Sequence, residues 1–100
     1  MDLCERNQIN MEQFTFTVQD ENGIHARPAG MLANCAKGFA SRVRVLTPVK
    51  EADGKRLLSI MSLGAVRGTE MTFIIEGADE EAAAHALKEF CKEHLGYGQA

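Results

Sequence analysis

One hundred residues, 45% of them apolar and 25% charged, are enough for one globular domain with a modest core. The formal net charge of -3 argues against a nucleic-acid surface, which is normally basic. No apolar run approaches the roughly 18 residues of a membrane span. The N-terminus lacks the order of a secretory signal, and the three cysteines have no CxxC spacing, so we expect a cytoplasmic protein without disulfides.

The chain begins with a segment that has no pattern, followed by a strand. Residues 1–10 are polar and irregular, which predicts a flexible N-terminal extension to a domain over residues 11–100. Beyond the extension, apolar side chains alternate with polar ones, as in a strand with one buried face. The apolar positions are Phe14, Phe16 and Val18.

A turn that ends at Gly23 connects this strand to the first predicted helix. From Ala26 onward the apolar residues recur at helical spacing, and Gly38 suits a C-terminal cap. The segment 42–46 alternates again and predicts the second strand. The segment 49–52 predicts a weak third strand.

The second half of the chain predicts a short helix over residues 55–63, a fourth strand over 71–76 and a last helix that ends at Gly96. Asp79 is expected to cap the last helix at its start. The resulting order is βαββαβα. Strands interleaved with three helices predict an α+β fold, with the helices on one face of a mainly antiparallel sheet.

The stretch with the clearest chemistry is GIHARPA, residues 23–29, between the first strand and the first helix. The free amides of a first helical turn and the positive end of the helix dipole form an anion site. His25 puts a nucleophile beside that site, and Arg27 adds a planar cation suited to a phosphoryl or carboxylate group. A simpler interpretation is also open, in which the histidine lies at a helix cap and the arginine on the surface.

The second informative stretch is RLLSIMSLG, residues 56–64, which is too apolar for a two-turn helix that buries only one side. Leu57 and Ile60 can face the core, whereas Leu58 and Met61 can point elsewhere. A small exposed apolar patch near an anion site would suit docking to other proteins. The alternative is that all four side chains belong to the core.

Together these two stretches resemble the HPr family, the histidine phosphocarriers of the sugar phosphotransferase system. The resemblance runs from about Met11 to Leu95, has no gap between His25 and Gly64, and includes GADE at residues 77–80. It implies an HPr-like open-faced β-sandwich, in which three helices cover a four-stranded antiparallel sheet. It also implies a stoichiometric carrier rather than an enzyme, a monomer with no cofactor and no metal.

The resemblance further implies roles for single residues. His25 would accept a phosphoryl group on Nδ1 from phosphorylated Enzyme I, with phosphoenolpyruvate as the first donor, and pass it to the IIA domain of a sugar permease. Arg27 and the amides of Ala26 and Arg27 would hold the phosphoryl oxygens, and Asn22 could add a hydrogen bond. The docking surface of the family matches Gly30, Met31, Asn34, Leu57, Leu58 and Met61.

One position departs from the family pattern. Many members carry a regulatory serine at the start of the short helix, six residues before the position of Ser62, where this chain has Arg56. Because Arg56 has no hydroxyl group, we do not expect the ATP-dependent kinase of this family to modify the usual position.

Two other functions fit parts of the sequence. A regulator could keep the fold and the docking patch and act by binding a transcription factor or an enzyme, but it would not need the nucleophile His25. A hydrolase would need a general acid or base beside His25, for which Asp20 or Glu21 could approach in space. Acceptance of phosphate from Enzyme I would separate the carrier from both.

The last helix raises the question of a metal site. Cys91 and His94 are three residues apart and could share a helix face, but His85 lies about a turn and a half from Cys91. No second cluster of ligands is present in the sequence. We therefore expect a buried cysteine and two exposed histidines rather than a metal centre.

Overall fold

The structure, a computed structural model, describes residues 11–94. Its elements follow the predicted order βαββαβα. They are β1 (Glu12–Thr17), α1 (Ala26–Lys37), β2 (Arg42–Leu46), β3 (Glu51–Asp53), α2 (Leu57–Met61), β4 (Glu70–Glu76) and α3 (Glu80–His94). Within this part of the chain, no helix has the length and the apolar character needed to cross a membrane. The predicted extension over residues 1–10 and the predicted helix end at Gly96 lie outside the described residues.

The strands form one sheet in the order β1-β4-β2-β3, and every pairing is antiparallel. Alternate side chains of the central strands are fully buried, among them Val43 and Val45 of β2 and Phe73 of β4. Leu32 of α1 and Leu87 of α3 are buried in the same core cluster. The expected α+β architecture, a four-stranded antiparallel sheet covered by three helices, is confirmed.

Two predicted boundaries were wrong, and turns explain both. The third strand begins at Glu51 rather than residue 49, because the Thr47 N–H donates to the carbonyl oxygen of Lys50 at 2.7 Å and closes a turn there. The short helix spans only Leu57–Met61 rather than residues 55–63. Before it, the chain is still turning, since the Arg56 N–H donates to the carbonyl oxygen of Asp53 at 3.2 Å.

Asp79 stands at the start of α3 as predicted, but its carboxylate does not act as expected. The main-chain oxygen of Asp79 accepts the Ala83 N–H at 2.9 Å, as a capping residue's should. Its side chain instead accepts the N–H groups of Ala40 and Ser41, at 2.8 and 2.9 Å, and the Ser41 hydroxyl. The carboxylate therefore joins the start of α3 to the residues before β2, a tertiary link that local sequence does not reveal.

Candidate functional site

The start of α1 is positioned by the loop that follows α2. The N–H of the buried residue Ile24 donates to the carbonyl oxygen of Ala65 at 2.9 Å. Gly23 has a φ of +65°, and a Cβ atom there would lie 2.5 Å from the same carbonyl oxygen and 2.8 Å from Cα of Val66. Only glycine fits this close approach without strain, so Gly23 lets the segment that leads to His25 lie close to that loop.

The first turn of α1 offers two main-chain donors to an anion. Pro28 has no N–H, and the Ala29 N–H donates to the carbonyl oxygen of His25 at 3.0 Å. The N–H groups of Ala26 and Arg27 are therefore left without a helical acceptor. His25 makes no side-chain capping hydrogen bond, and its side chain is exposed, as are Ala26 and Arg27 after it. This arrangement puts the imidazole and two free amides at one helix start.

A shallow pocket of about 220 Å³ lies at this helix start. Its walls come from the β1–α1 loop, the first turns of α1 and the last described turn of α3. The lining residues are Asp20, His25, Arg27, Pro28, Met31, Glu93 and His94. The pocket thus combines the nucleophile and one arginine with two carboxylates and a second imidazole.

The sequence does not predict a place in the phosphoryl site for three titratable residues of this lining. Asp20 was considered only as a possible acid or base for a hydrolase, while Glu93 received no role and His94 only a rejected metal role. No sequence signal places the end of α3 beside His25, because the proximity depends on how α3 packs in the fold. Asn22 is exposed and does not line the pocket; its main-chain N–H donates to Asp20 Oδ1 at 2.8 Å.

Volume alone would have selected a different site, because a larger cavity of about 690 Å³ lies at the start of α3, where residues 77–82 line it without a histidine or cysteine. A groove of about 370 Å³ lies between β1 and α3, but no histidine or cysteine lines it. Its lining residues are Phe14, Thr15, Phe16, Thr17, Gln19, Lys88 and Lys92. The smaller pocket is the candidate site because the exposed imidazole of His25 lines it.

Within the described part of the chain, the two cysteines and His85 are poorly suited to compete with His25. Burial raises the pKa of the Cys91 thiol to about 12, with the nearby Cys35 as a smaller cause. Burial also raises the pKa of Cys35. His85 is exposed on α3 and does not line the pocket. Among residues 11–94, no three His, Cys, Asp or Glu side chains lie together as ligands for a metal ion.

The short helix α2 exposes most of its apolar side chains. Ile60 is fully buried, whereas Leu57 and Met61 are each 38% exposed and Leu58 is 79% exposed. The interpretation that all four belong to the core is wrong, and Leu57, which the sequence allowed to face the core, is as exposed as Met61. Exposed Met31 of α1 completes what we call the apolar patch: Met31, Leu57, Leu58 and Met61.

The apolar patch is continuous with the pocket, because Met31 belongs to both. On α1, a Cβ atom at Gly30 would lie 4.0 Å from Leu57 Cδ1, so the two helices approach closely here. Asn34 is also exposed on α1. Val66 is 62% exposed beside the Gly23 turn and was missed by the sequence analysis. Fold and site together define a class of small α+β proteins that present a nucleophilic histidine at an open helix start, outside any deep cavity.

The chain belongs to the HPr family of phosphocarriers. The family model for the PTS HPr component phosphorylation site matches residues 12–93. Phosphocarrier protein HPr of Lysinibacillus sphaericus is 42% identical over 89 residues, which are 89% of this chain and 100% of that protein. The family makes the chain a phosphocarrier of the phosphotransferase system and not a catalyst.

Solved structures agree with this assignment. The histidine-containing phosphocarrier protein of Mycoplasma has a TM-score of 0.82 at 29% identity, and the match covers 85% of this chain and 97% of that one. HPr-C-His from Thermoanaerobacter tengcongensis has a TM-score of 0.79 at 33% identity, and the match covers 85% of this chain and 96% of that one.

Proposed function

We propose that this chain accepts a phosphoryl group on Nδ1 of His25 from phosphorylated Enzyme I and passes it to the IIA domain of a sugar permease. Phosphoenolpyruvate is the first donor in this chain of transfers, which takes place in the cytoplasm. The observation that carries the assignment is the open start of α1, where an exposed imidazole lies next to the unpaired amides of Ala26 and Arg27.

The electrostatics of this helix start suit a phosphoryl group in transit. The two amides and the helix dipole attract its oxygens, and the Arg27 guanidinium adds a charge-assisted hydrogen bond. Asn22 could add a further hydrogen bond from the neighbouring turn. A carrier needs only enough stabilisation to keep the group during transfer, since tighter binding would slow its delivery to the acceptor. A shallow, exposed pocket meets that need.

The docking role is proposed for the apolar patch, together with Gly30 and Asn34. An apolar surface beside the phosphoryl site lets a larger partner bury side chains while its own reactive group reaches His25. Enzyme I and the IIA domain would use the same surface in turn, and a monomer leaves that surface free for each of them. The patch borders the pocket through Met31. A partner that docks on the patch is therefore already close to His25 when the phosphoryl group is transferred.

The decisive experiment is incubation of the protein with Enzyme I and phosphoenolpyruvate, followed by intact mass measurement and peptide mapping. We expect one acid-labile phosphoryl group per chain, located on His25, and its transfer to an added IIA domain. Tight binding to Enzyme I without any gain in mass would instead support a regulator. Release of inorganic phosphate from a small phosphate ester without a protein partner would support a hydrolase.

A further inference from the structure

His94, in the last described turn of α3, lines the same pocket as His25. Its ring packs against that of Phe90, with centroids 4.7 Å apart and planes inclined by 35°. Phe90 is 8% exposed and belongs to the core cluster, so one side of the His94 ring is supported by the core. The side chain nevertheless remains 38% exposed. A supported and partly open imidazole can therefore interact with a group in the pocket.

The charged groups of the pocket divide into attractive and repulsive ones for a phosphoryl group. The carboxylates of Asp20 and Glu93 carry only acceptors and repel phosphoryl oxygens. Glu93 Oε1 also lies 3.7 Å from His94 Nε2. Apart from Arg27, His94 is the pocket-lining side chain that can donate a hydrogen bond to an anion on His25. An imidazole carries at least one N–H whether it is neutral or protonated.

We infer that His94 is a positioning residue for the phosphoryl group on His25. Its ring N–H donates to a phosphoryl oxygen from the α3 side of the pocket, while the α1 amides and Arg27 hold the group from the other side. The inference rests on the proposed function, since the group must occupy His25. Its consequence is a longer lifetime of the phosphohistidine, because the ring holds the group and shields phosphorus from water.

The reaction that limits this lifetime is hydrolysis. A water oxygen bonds to phosphorus as the bond between phosphorus and His25 Nδ1 breaks. The bonding electron pair returns to the imidazole, protons are redistributed to the solvent, and inorganic phosphate leaves. Loss of one hydrogen bond from this partly exposed ring to the phosphoryl group should speed this step about twofold to tenfold.

The experiment loads the full chain with phosphoramidate, so that the result does not depend on Enzyme I. The phosphorus–nitrogen bond of the reagent breaks, a bond to His25 Nδ1 forms and ammonia leaves. Phosphorus NMR follows the decay of the phosphohistidine at neutral pH, and peptide mapping identifies the modified residue. The variants are His94→Phe, which keeps a ring against Phe90 without a donor, and His94→Gln, which restores a donor. His85→Phe is the matched control, because His85 is exposed on the same helix but outside the pocket.

We expect His94→Phe to shorten the half-life of the phosphohistidine about twofold to tenfold. His94→Gln should recover much of the loss, and His85→Phe should match the wild type, with thermal unfolding unchanged in all three. Equal half-lives for His94→Phe and wild type would overturn the inference. Phosphate mapped to His94 would also overturn it. So would a half-life that is shortened equally in both His94 variants and in proportion to their loss of thermal stability. If Enzyme I fails to load His25 while phosphoramidate succeeds, the proposed function is wrong but the His94 measurement still holds.

Discussion

The starts of the two long helices are built in opposite ways. At α3, the carboxylate of Asp79 accepts the N–H groups of Ala40 and Ser41, and Glu80 Oε1 accepts the Gly77 N–H at 3.1 Å. At α1, the side chain of His25 caps nothing, and the amides of the first turn lack helical acceptors. We call these the closed and the open helix start.

The difference follows from what surrounds each start. Ser41 is almost fully buried, and buried polar groups need partners within the protein, so the Asp79 carboxylate is used to satisfy them. Those hydrogen bonds, with the Ser41 hydroxyl as the largest cause, lower the pKa of Asp79. The open start is exposed, and water can solvate its amides until an anion replaces it. The exposed start of α1 is therefore free to bind an anion, whereas the carboxylate at the start of α3 serves stability by binding Ala40 and Ser41.

The largest expected effect concerns the nucleophile of the open start. His25→Ala should lose all phosphoryl acceptance from Enzyme I, because the remaining described histidines lie on α3. Stability should change by no more than about 0.5 kcal/mol, since the side chain is exposed and makes no capping bond. Intact mass and chemical denaturation measure the two effects. Phosphate retained at the wild-type level would contradict the assignment.

Arg27→Ala should weaken the open start without abolishing it. The amides remain, so the variant should still accept phosphate, but transfer should slow about 10- to 150-fold, which corresponds to about 1.5–3 kcal/mol for one charge-assisted hydrogen bond. Rapid-quench measurement of both half-reactions tests this. Arg67→Ala is a suitable control, since Arg67 is exposed and does not line the pocket. Unchanged rates for Arg27→Ala would show that Arg27 does not contribute to phosphoryl transfer.

The apolar patch beside the open start gives the next effect. Met61→Glu should reduce affinity for Enzyme I about tenfold or more, because a charge must be desolvated without a partner in an apolar interface. The fold should survive, since Met61 is 38% exposed. Isothermal titration of folded variant and wild type measures the difference, and Val49→Glu controls for charge at a highly exposed apolar residue. Equal affinities would remove α2 from the docking surface.

Asp79→Asn examines the closed start and should affect stability rather than phosphoryl transfer. Because the folded-state pKa of Asp79 is lowered, its ionised form stabilises the fold. That contribution is present above the ordinary pKa of an aspartate, about 4, and is lost as the pH falls through the lower folded value. The variant should therefore have a lower free energy of unfolding than the wild type at neutral pH, and this difference should shrink as the pH falls. A difference that does not change with pH in denaturation experiments would contradict this role.

The smallest expected effect concerns serine phosphorylation at α2, which we expect not to occur. Arg56 offers no hydroxyl, and Ser59 Oγ already accepts the Asp53 N–H at 2.9 Å, directed toward β3 rather than the helix start. The Ser62 hydroxyl donates to the carbonyl oxygen of Ser59 at 2.6 Å. The serine kinase of this family with ATP should add no phosphate, as peptide mass mapping would show. Stoichiometric phosphoserine at Ser59 would mean that the regulatory site has moved along the helix.

The sequence by itself determined the element order and the nature of the open start. Alternation and helical spacing are local patterns, so β1, α1, β2 and β4 could be predicted from neighbours along the chain. The string GIHARPA likewise specified an imidazole, an arginine and free amides within one turn. The apolar excess of residues 56–64 also indicated that Leu58 and Met61 of α2 can be exposed.

The tertiary structure determined which groups that are distant in the sequence lie close together in space. His94 and Glu93 reach the pocket of His25 only because α3 packs beside α1, a proximity that no local spacing encodes. The carboxylate of Asp79 binds Ser41, 38 positions away, because a buried hydroxyl and amide there need an acceptor. Such long-range pairings depend on which surfaces the whole core brings together, and that choice is made by the packing of all elements at once.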